Sequence, residues 1–315
     1  MRILVVGAGA TGGYYGARLT QAGNDVTFLV REKRAAALRK SGLQVQTPEG
    51  IFSVQPQLLL ASELASQPAS KVIIQPFDLI ILTVKGFSLE AVLEEFAPVV
   101  GEQTLILPVL NGMNHLEIIQ QRFGKHRALG GLCRINATLD EHGQVHQMTA
   151  LEELIYGEVS GETTERITKV HEALQVAGIT ARLSKNIVSE MWEKWLFLAS
   201  VGGIACLMRG NMGQVSRAAG GLEFIRAFVE EVVSIVVAGG YQERPQVKAN
   251  TIKELSNPES VQTTSMYRDM IQGLPVEAKQ ILGDLVEISK RAVLSTPLMN
   301  AAYTHMSVYQ HSIEK

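Results

Sequence analysis

The sequence predicts an α/β chain in two parts: a doubly wound, mostly parallel sheet over residues 1–185 and an all-helical domain over residues 186–315. Three observations carry this prediction. A glycine-rich turn follows the first apolar run at once, strand and helix patterns alternate after it, and strand patterns stop beyond Asn186.

The first element is the apolar, β-branched run Ile3 to Val6, which fits a strand buried on both faces. Gly7-Ala8-Gly9-Ala10-Thr11-Gly12 follows and matches G-x-G-x-x-G, and a helical periodicity runs on through Tyr15, Leu19 and Ala22. Gly7 makes the tight turn, Gly9 lets backbone approach a pyrophosphate, and Gly12 lets helix and strand pack closely. The N–H groups at the helix N-terminus then face the phosphates. Gly23 ends the helix and Asp25 to Val30 forms the second strand, so the motif lies in a βαβ setting and predicts a Rossmann-type dinucleotide site.

The end of the second strand bears on which dinucleotide. An NAD site wants Asp or Glu there, about 20 residues past the motif, to bind the ribose 2′-OH. The residues present are Phe28, Leu29, Val30 and Arg31, with Lys33 and Arg34 just beyond, and Asp25 lies at the wrong end of the strand. Arg31 could fork onto a 2′-phosphate, which favours NADP(H) over NAD(H). The plain alternative is a solvated basic turn.

After a short helix over Ala35 to Lys40, Gly42 to Gln46 and Ile51 to Val54 alternate in polarity around Thr47-Pro48-Glu49-Gly50 and read as a hairpin. Phe77 to Val84 is a further buried strand closed by Lys85-Gly86, a helix carries Leu89, Val92, Leu93 and Phe96, and Thr104 to Leu110 is a strand ending in Asn111-Gly112-Met113. Leu129 to Leu139, Gln144 to Met148, Leu154 to Tyr156 and the region of Thr180 to Leu183 read as strands, with a helix over Thr163 to Ala177. Ligands of doubly wound sheets sit beyond the carboxyl ends of the strands, and the chain places Gly7 to Gly12, Arg31, Lys85 and Asn111 there. Separately, Lys85 would be a loop lysine and Asn111-Gly112 a turn dipeptide.

Helical patterns then cover Ile187 to Met208, Leu222 to Ala238, Val247 to Leu255, Val276 to Val293 and Met299 to Gln310. The second of these is apolar on more than one face around Val229, Val232, Val233 and Val236, as a homodimer interface or a buried core helix would be.

Composition bounds the class. With 315 residues and 46% hydrophobic content, the chain can bury a large core. A net charge of -2 offers no general attraction to nucleic acid or to an anionic membrane surface. Cys133 and Cys206 are far apart among apolar or small residues and predict buried thiols, with no disulfide and no metal site. The longest apolar stretch, Trp195 to Met208, falls short of the roughly 20 residues a membrane span requires. The chain opens on its first strand, without room for a signal peptide, and the expectation is a soluble cytoplasmic protein.

The chain resembles the 2-dehydropantoate 2-reductase (ketopantoate reductase) family along nearly its whole length. The resemblance rests on Gly7 to Gly12, Arg31, Thr83-Val84-Lys85, Asn111-Gly112-Met113, Glu190-Met191-Trp192-Glu193-Lys194, Thr264-Ser265-Met266, Asp269 and Glu277. It implies a Rossmann domain joined to a helical domain of the 6-phosphogluconate-dehydrogenase C-terminal type. It also implies NADPH-dependent reduction of 2-dehydropantoate to pantoate, on the way to pantothenate and coenzyme A.

By the resemblance, Lys194 is the catalytic lysine, Glu277 the carboxylate that holds it and binds the substrate hydroxyl, and Ser265 the binder of the substrate carboxylate. Asn111 would face nicotinamide and carbonyl, and Asp269 has a supporting role. The chemistry suits these residue types: hydride delivery to a ketone builds negative charge on oxygen, so a proton donor is needed beside it. Burial at the edge of the apolar run would lower the Lys194 pKa towards a general acid's range. The plain alternative is a surface pair with Glu190, worth roughly 0.2–0.5 kcal/mol.

Two positions depart from the family. Leu198 and Gly202 stand where asparagines often line the substrate pocket, with Asn211 as a candidate compensation, and the Gly202-Gly203 pair replaces a frequent Asn-Pro. A buried polar partner that is lost costs about 1–3 kcal/mol. The departures open a second reading, a reductase of another branched or bulkier 2-oxoacid, beside a third, a non-catalytic NADP(H) sensor on the same fold.

Overall fold

Strand β1 (Arg2–Val6) has four fully apolar residues, each buried, and it pairs in parallel on both sides, with β2 (Asp25–Val30) and β6 (Leu79–Leu82). That two-sided burial is why it reads as an uninterrupted apolar run. The computed structural model describes residues 1–65 and 74–314 and divides the chain into two units: Met1–Leu110 with His115–Val188, and Asn111–Asn114 with Ser189–Lys315.

In the first unit a parallel five-stranded sheet has the order β5-β2-β1-β6-β7, where β5 is Gln57–Leu60 and β7 is Leu105–Pro108. Helix α1 (Ala10–Gln21) links β1 to β2, and α2 (Glu32–Ser41) leaves the end of β2. The hairpin of β3 (Leu43–Thr47) and β4 (Gly50–Val54) is antiparallel as its alternation predicts, but it belongs to a second sheet. There β3 pairs with β9 (Val145–Glu158), which also pairs with β8 (Leu129–Leu139) and β10 (Ala181–Leu183). The reason is visible in β3, which buries only alternate residues and so suits a sheet with one wet face. Helix α3 (Ala61–Ala65) follows β5, α4 (Leu89–Phe96) and α5 (Asn114–Phe123) follow β6 and β7, and α6 (Glu165–Leu174) precedes β10.

The second unit is helical: α7 (Ile187–Met208, its first two residues with the first unit), α8 (Met212–Arg217), α9 (Gly221–Ala238), α10 (Pro245–Leu255), α11 (Ser265–Ile271), α12 (Asp284–Arg291) and α13 (Pro297–Ile313). Val229, Val232, Val233 and Val236 of α9 are buried in its core with Trp195 and Phe228, so that apolar face is packed within the chain. Over its whole 22 residues α7 is long and apolar enough to cross a membrane by length and composition, which corrects the expectation from Trp195 to Met208 alone. Its most apolar window is nevertheless 67% buried in the fold, as in a core helix. Cys133 and Cys206 are buried thiols, neither of them in a disulfide.

The helical run predicted from Val276 to Val293 is broken. A π-helical turn, Lys279–Gly283, precedes α12, and Glu277 stands just before it. Such turns widen a helix by one residue and recur at functional sites.

Candidate active site

Each unit carries its own group of candidate residues. In the first, the glycine turn joins β1 to α1. Gly7 has φ +96, its N–H donates to the Leu29 carbonyl at 3.2 Å, and the turn is thereby tied to β2. Thr83, just past β6, donates its hydroxyl to the carbonyls of Val6 and Gly7, each at 3.0 Å. A Cβ at Gly12 would stand 2.1 Å from the Gly7 carbonyl oxygen and 2.2 Å from Thr83 Oγ1, so Gly12 is where helix and turn press together.

The opposite holds at Gly9, where a Cβ would meet no protein atom within 4 Å. Gly9 is also the N-cap of α1, with no side-chain cap and no acidic residue in the first turn. The helix therefore presents its N–H groups and the positive end of its dipole without a side chain of its own to satisfy them. Ala8, Ala10 and Thr11 complete the turn as small residues. The cradle fits a pyrophosphate.

Arg31 caps α2 at the end of β2, with its side chain 67% exposed. Its Nη2 lies 3.3 Å from Glu95 Oε1 of α4. An exposed pair of this kind is worth about 0.2–1 kcal/mol, so a phosphate dianion can displace Glu95 at little cost. Lys85 is exposed in the loop after β6.

In the second unit, Asn111 Nδ2 lies 3.5 Å from Glu277 Oε2 across 166 residues of sequence. Residues Asn111–Asn114, which follow β7 in the chain, pack with this unit. Met113 packs against the second core and Asn111 meets Glu277. The Glu277 side chain is buried, only 4% exposed, and its backbone carbonyl accepts from Ile281 N at 3.0 Å at the head of the π turn. A carboxylate at a helix start is favoured by the dipole.

Lys194 is partly buried on α7 between two anchored neighbours. Trp195 Nε1 donates to the Ile281 carbonyl of the π turn at 2.9 Å, and Trp192 stacks on Trp195 at 5.2 Å. Glu193 accepts from Arg244 Nε at 2.8 Å and from the Tyr241 hydroxyl at 3.2 Å. Lys194 makes no ion pair among the described residues, so neither the surface pair with Glu190 nor a salt bridge to Glu277 is present.

Leu198 and Gly202 follow Lys194 at i+4 and i+8, on the same helix face. A Cβ at Gly202 would lie 3.0 Å from the Met266 methyl and 3.5 Å from Thr264 Oγ1, so this face of α7 runs beside the start of α11. Thr264 is the cap of α11, accepting from Tyr267 N at 3.2 Å, and Ser265 is its first helical residue. The Ser265 hydroxyl makes no hydrogen bond among the described residues. Asn211 does not compensate for Leu198 and Gly202: its side chain caps α8 and accepts from Gln214 N at 2.9 Å. The sequence shows the Thr83 hydroxyl and the Arg34 charge but not the carbonyls they reach, which for Arg34 is that of Ala8 at 3.0 Å.

A Rossmann-type parallel sheet with a bare glycine turn at a helix N-terminus defines a dinucleotide-binding fold. The chain belongs to the ketopantoate reductase PanE/ApbA family, whose model matches residues 3–161 and whose C-terminal model matches residues 186–310. It is 34% identical over 310 residues to an uncharacterized oxidoreductase, YkpB, of Bacillus subtilis (strain 168), covering 98% of this chain and 99% of that one. The structure of 2-dehydropantoate 2-reductase from Geobacter metallireducens GS-15 is similar with a TM-score of 0.83 at 26% identity, covering 98% and 99% of the two chains. A ternary structure of D-mandelate dehydrogenase with NADH and anilino(oxo)acetate shares the fold, with a TM-score of 0.87 at 23% identity and full coverage of both chains.

Proposed function

We propose that this chain is an NADPH-dependent reductase of a 2-oxoacid, with 2-dehydropantoate as its substrate, acting in the cytoplasm on the way to pantothenate and coenzyme A. The observation that carries the reading is the buried Glu277 carboxylate, held by Asn111 in the same unit as Lys194. A protein that only sensed the dinucleotide would need neither the acid nor the lysine.

The glycine turn, Arg31 and Lys85 would hold the cofactor, which when bound supplies the hydride. The residues of the chain do the rest. Ser265 donates to the substrate carboxylate. Lys194 polarises the ketone oxygen and gives it a proton as the carbon accepts the hydride pair, so that ketone, hydride and proton become the hydroxyacid. Glu277 accepts a hydrogen bond from a substrate hydroxyl, and Asn111 fixes the rotamer in which it does so.

A screen of NADPH oxidation by the purified protein tests this. Turnover of 2-dehydropantoate is expected, and silence on every 2-oxoacid would favour the sensor. Leu198 and Gly202 favour a second reading on the same chemistry, a 2-oxoacid whose side chain is branched, bulkier and without a hydroxyl. A kcat/KM higher for such acids than for 2-dehydropantoate would decide for it.

The cofactor preference has its own test. Arg31→Ala is expected to weaken NADPH by about tenfold or more, the worth of a charge-assisted hydrogen bond, and NADH much less. Equal weakening, read by fluorescence titration, would remove Arg31 from the 2′-phosphate.

A further inference from the structure

Arg34 is the third residue of α2, and it reaches back 26 positions to the glycine turn, donating from Nε to the Ala8 carbonyl at 3.0 Å. Its guanidinium also lies against the β8–β9 turn, since a Cβ at Gly143 would stand 2.2 Å from Arg34 Nη1. The remaining nitrogen, Nη2, is buried and has no acceptor among the described residues. Asp140, at the start of that turn, is the acid that faces Arg34, and its carboxylate is itself fixed by the backbone N–H groups of His142 and Gln144 at 2.9 and 2.8 Å. Burial lowers the Arg34 pKa, and the Asp140 charge opposes that.

This is a half-buried cation, unlike the open Arg31 three residues before it. A surface arginine would leave all its donors in water, and burying one of them without a partner is costly. Its direct partner is the carbonyl of the residue between Gly7 and Gly9, which sets the plane of the peptide whose N–H belongs to Gly9.

We infer that Arg34 is a positioning residue for the dinucleotide turn, clamping the Ala8–Gly9 peptide against the β8–β9 hairpin so that the turn is shaped before the pyrophosphate arrives. The inference rests on the reading that a dinucleotide occupies this turn. It separates two arginines by what they act on: Arg34 serves the part of the cofactor common to NADPH and NADH, and Arg31 the 2′-phosphate.

The test is calorimetric titration of the purified full chain and its R34Q, R34K and R31A variants with NADPH, NADH and 2′-AMP, which carries the 2′-phosphate but no pyrophosphate. R34Q is expected to weaken NADPH and NADH by one common factor of about tenfold, the value of one charged hydrogen bond. It should leave 2′-AMP binding unchanged, and it should raise KM for NADPH while kcat at saturation stays as it was. R34K keeps the charge but not the fork, so it is expected to fold and to weaken both dinucleotides less than R34Q does. A loss confined to NADPH and 2′-AMP would make Arg34 a phosphate reader and overturn the inference, as would unaltered binding by both variants. If the unaltered protein binds neither dinucleotide, the cofactor reading itself falls. If it binds them and the Arg34 variants bind as well, only the clamp falls.

Discussion

Lys194→Ala is expected to leave NADPH binding intact and to lower turnover by about 10²–10⁴-fold, the range for removal of a general acid. The two halves of that expectation have different origins. Of the groups proposed to hold the dinucleotide, the glycine turn is braced by Thr83 and Arg31 is paired with Glu95, all within the first unit. The scaffold around Lys194 also does not depend on its ammonium. Trp195 is pinned to the Ile281 carbonyl, Glu193 to Arg244 and Tyr241, and Lys194 itself forms no ion pair among the described residues. Truncating it leaves no buried acid without its charge partner, so little stability is at stake and the lost turnover reports chemistry. Equilibrium titration of NADPH and single-turnover oxidation on the same preparation separate the two. Unchanged turnover would remove Lys194 from the mechanism, and loss of both binding and turnover would mark it as structural.

The glycine turn was legible because three local rules converge there: an uninterrupted apolar strand, the spacing of glycines and the helical period that follows. The long helices α7 and α9 were legible for the same reason, since their periodicity outruns any ambiguity at the ends. Short apolar runs were not. Gln57–Leu60 has four residues between Pro56 and the helix of Ala61–Ala65, too few for a period of two to be told from one of 3.6, although it forms the edge of the parallel sheet.

Membership of a sheet was likewise hidden. The β3–β4 hairpin shows its alternation in sequence, but its partner β9 lies about a hundred residues on. The π turn is met by Trp195 at the Ile281 carbonyl and by the Tyr303 ring at Gly283, contacts that no local pattern contains. The site divides along the same line. The cofactor turn could be picked out from residue types along the chain and Lys194 and Glu277 only through the family resemblance, while the pairing of Asn111 with Glu277 and of Arg34 with Ala8 is written only in three dimensions.

Gly12→Ala should weaken dinucleotide binding and destabilise the first unit together, whereas Gly9→Ala should weaken binding alone. At Gly12 the added methyl would lie 2.1 Å from a backbone oxygen of the turn and 2.2 Å from the Thr83 hydroxyl, which is itself committed to the Val6 and Gly7 carbonyls. Backbone cannot swing aside as a flexible side chain can, so α1 must retreat from β1, breaking the Thr83 brace and moving the N–H groups of its first turn. Overpacking of a tight site costs about 1–3 kcal/mol, and displacement of the phosphate donors should weaken NADPH by about a hundredfold, equivalent to about 2.7 kcal/mol. At Gly9 a methyl meets no protein atom within 4 Å, so the fold is expected to keep its urea midpoint. The methyl instead projects from the peptide that a pyrophosphate must approach, and binding falls by a comparable factor. Urea melts and NADPH titrations of both variants give four numbers. Wild-type affinity in Gly9→Ala would show that no ligand backbone comes close to that residue, and the dinucleotide would then have to be sought away from this turn.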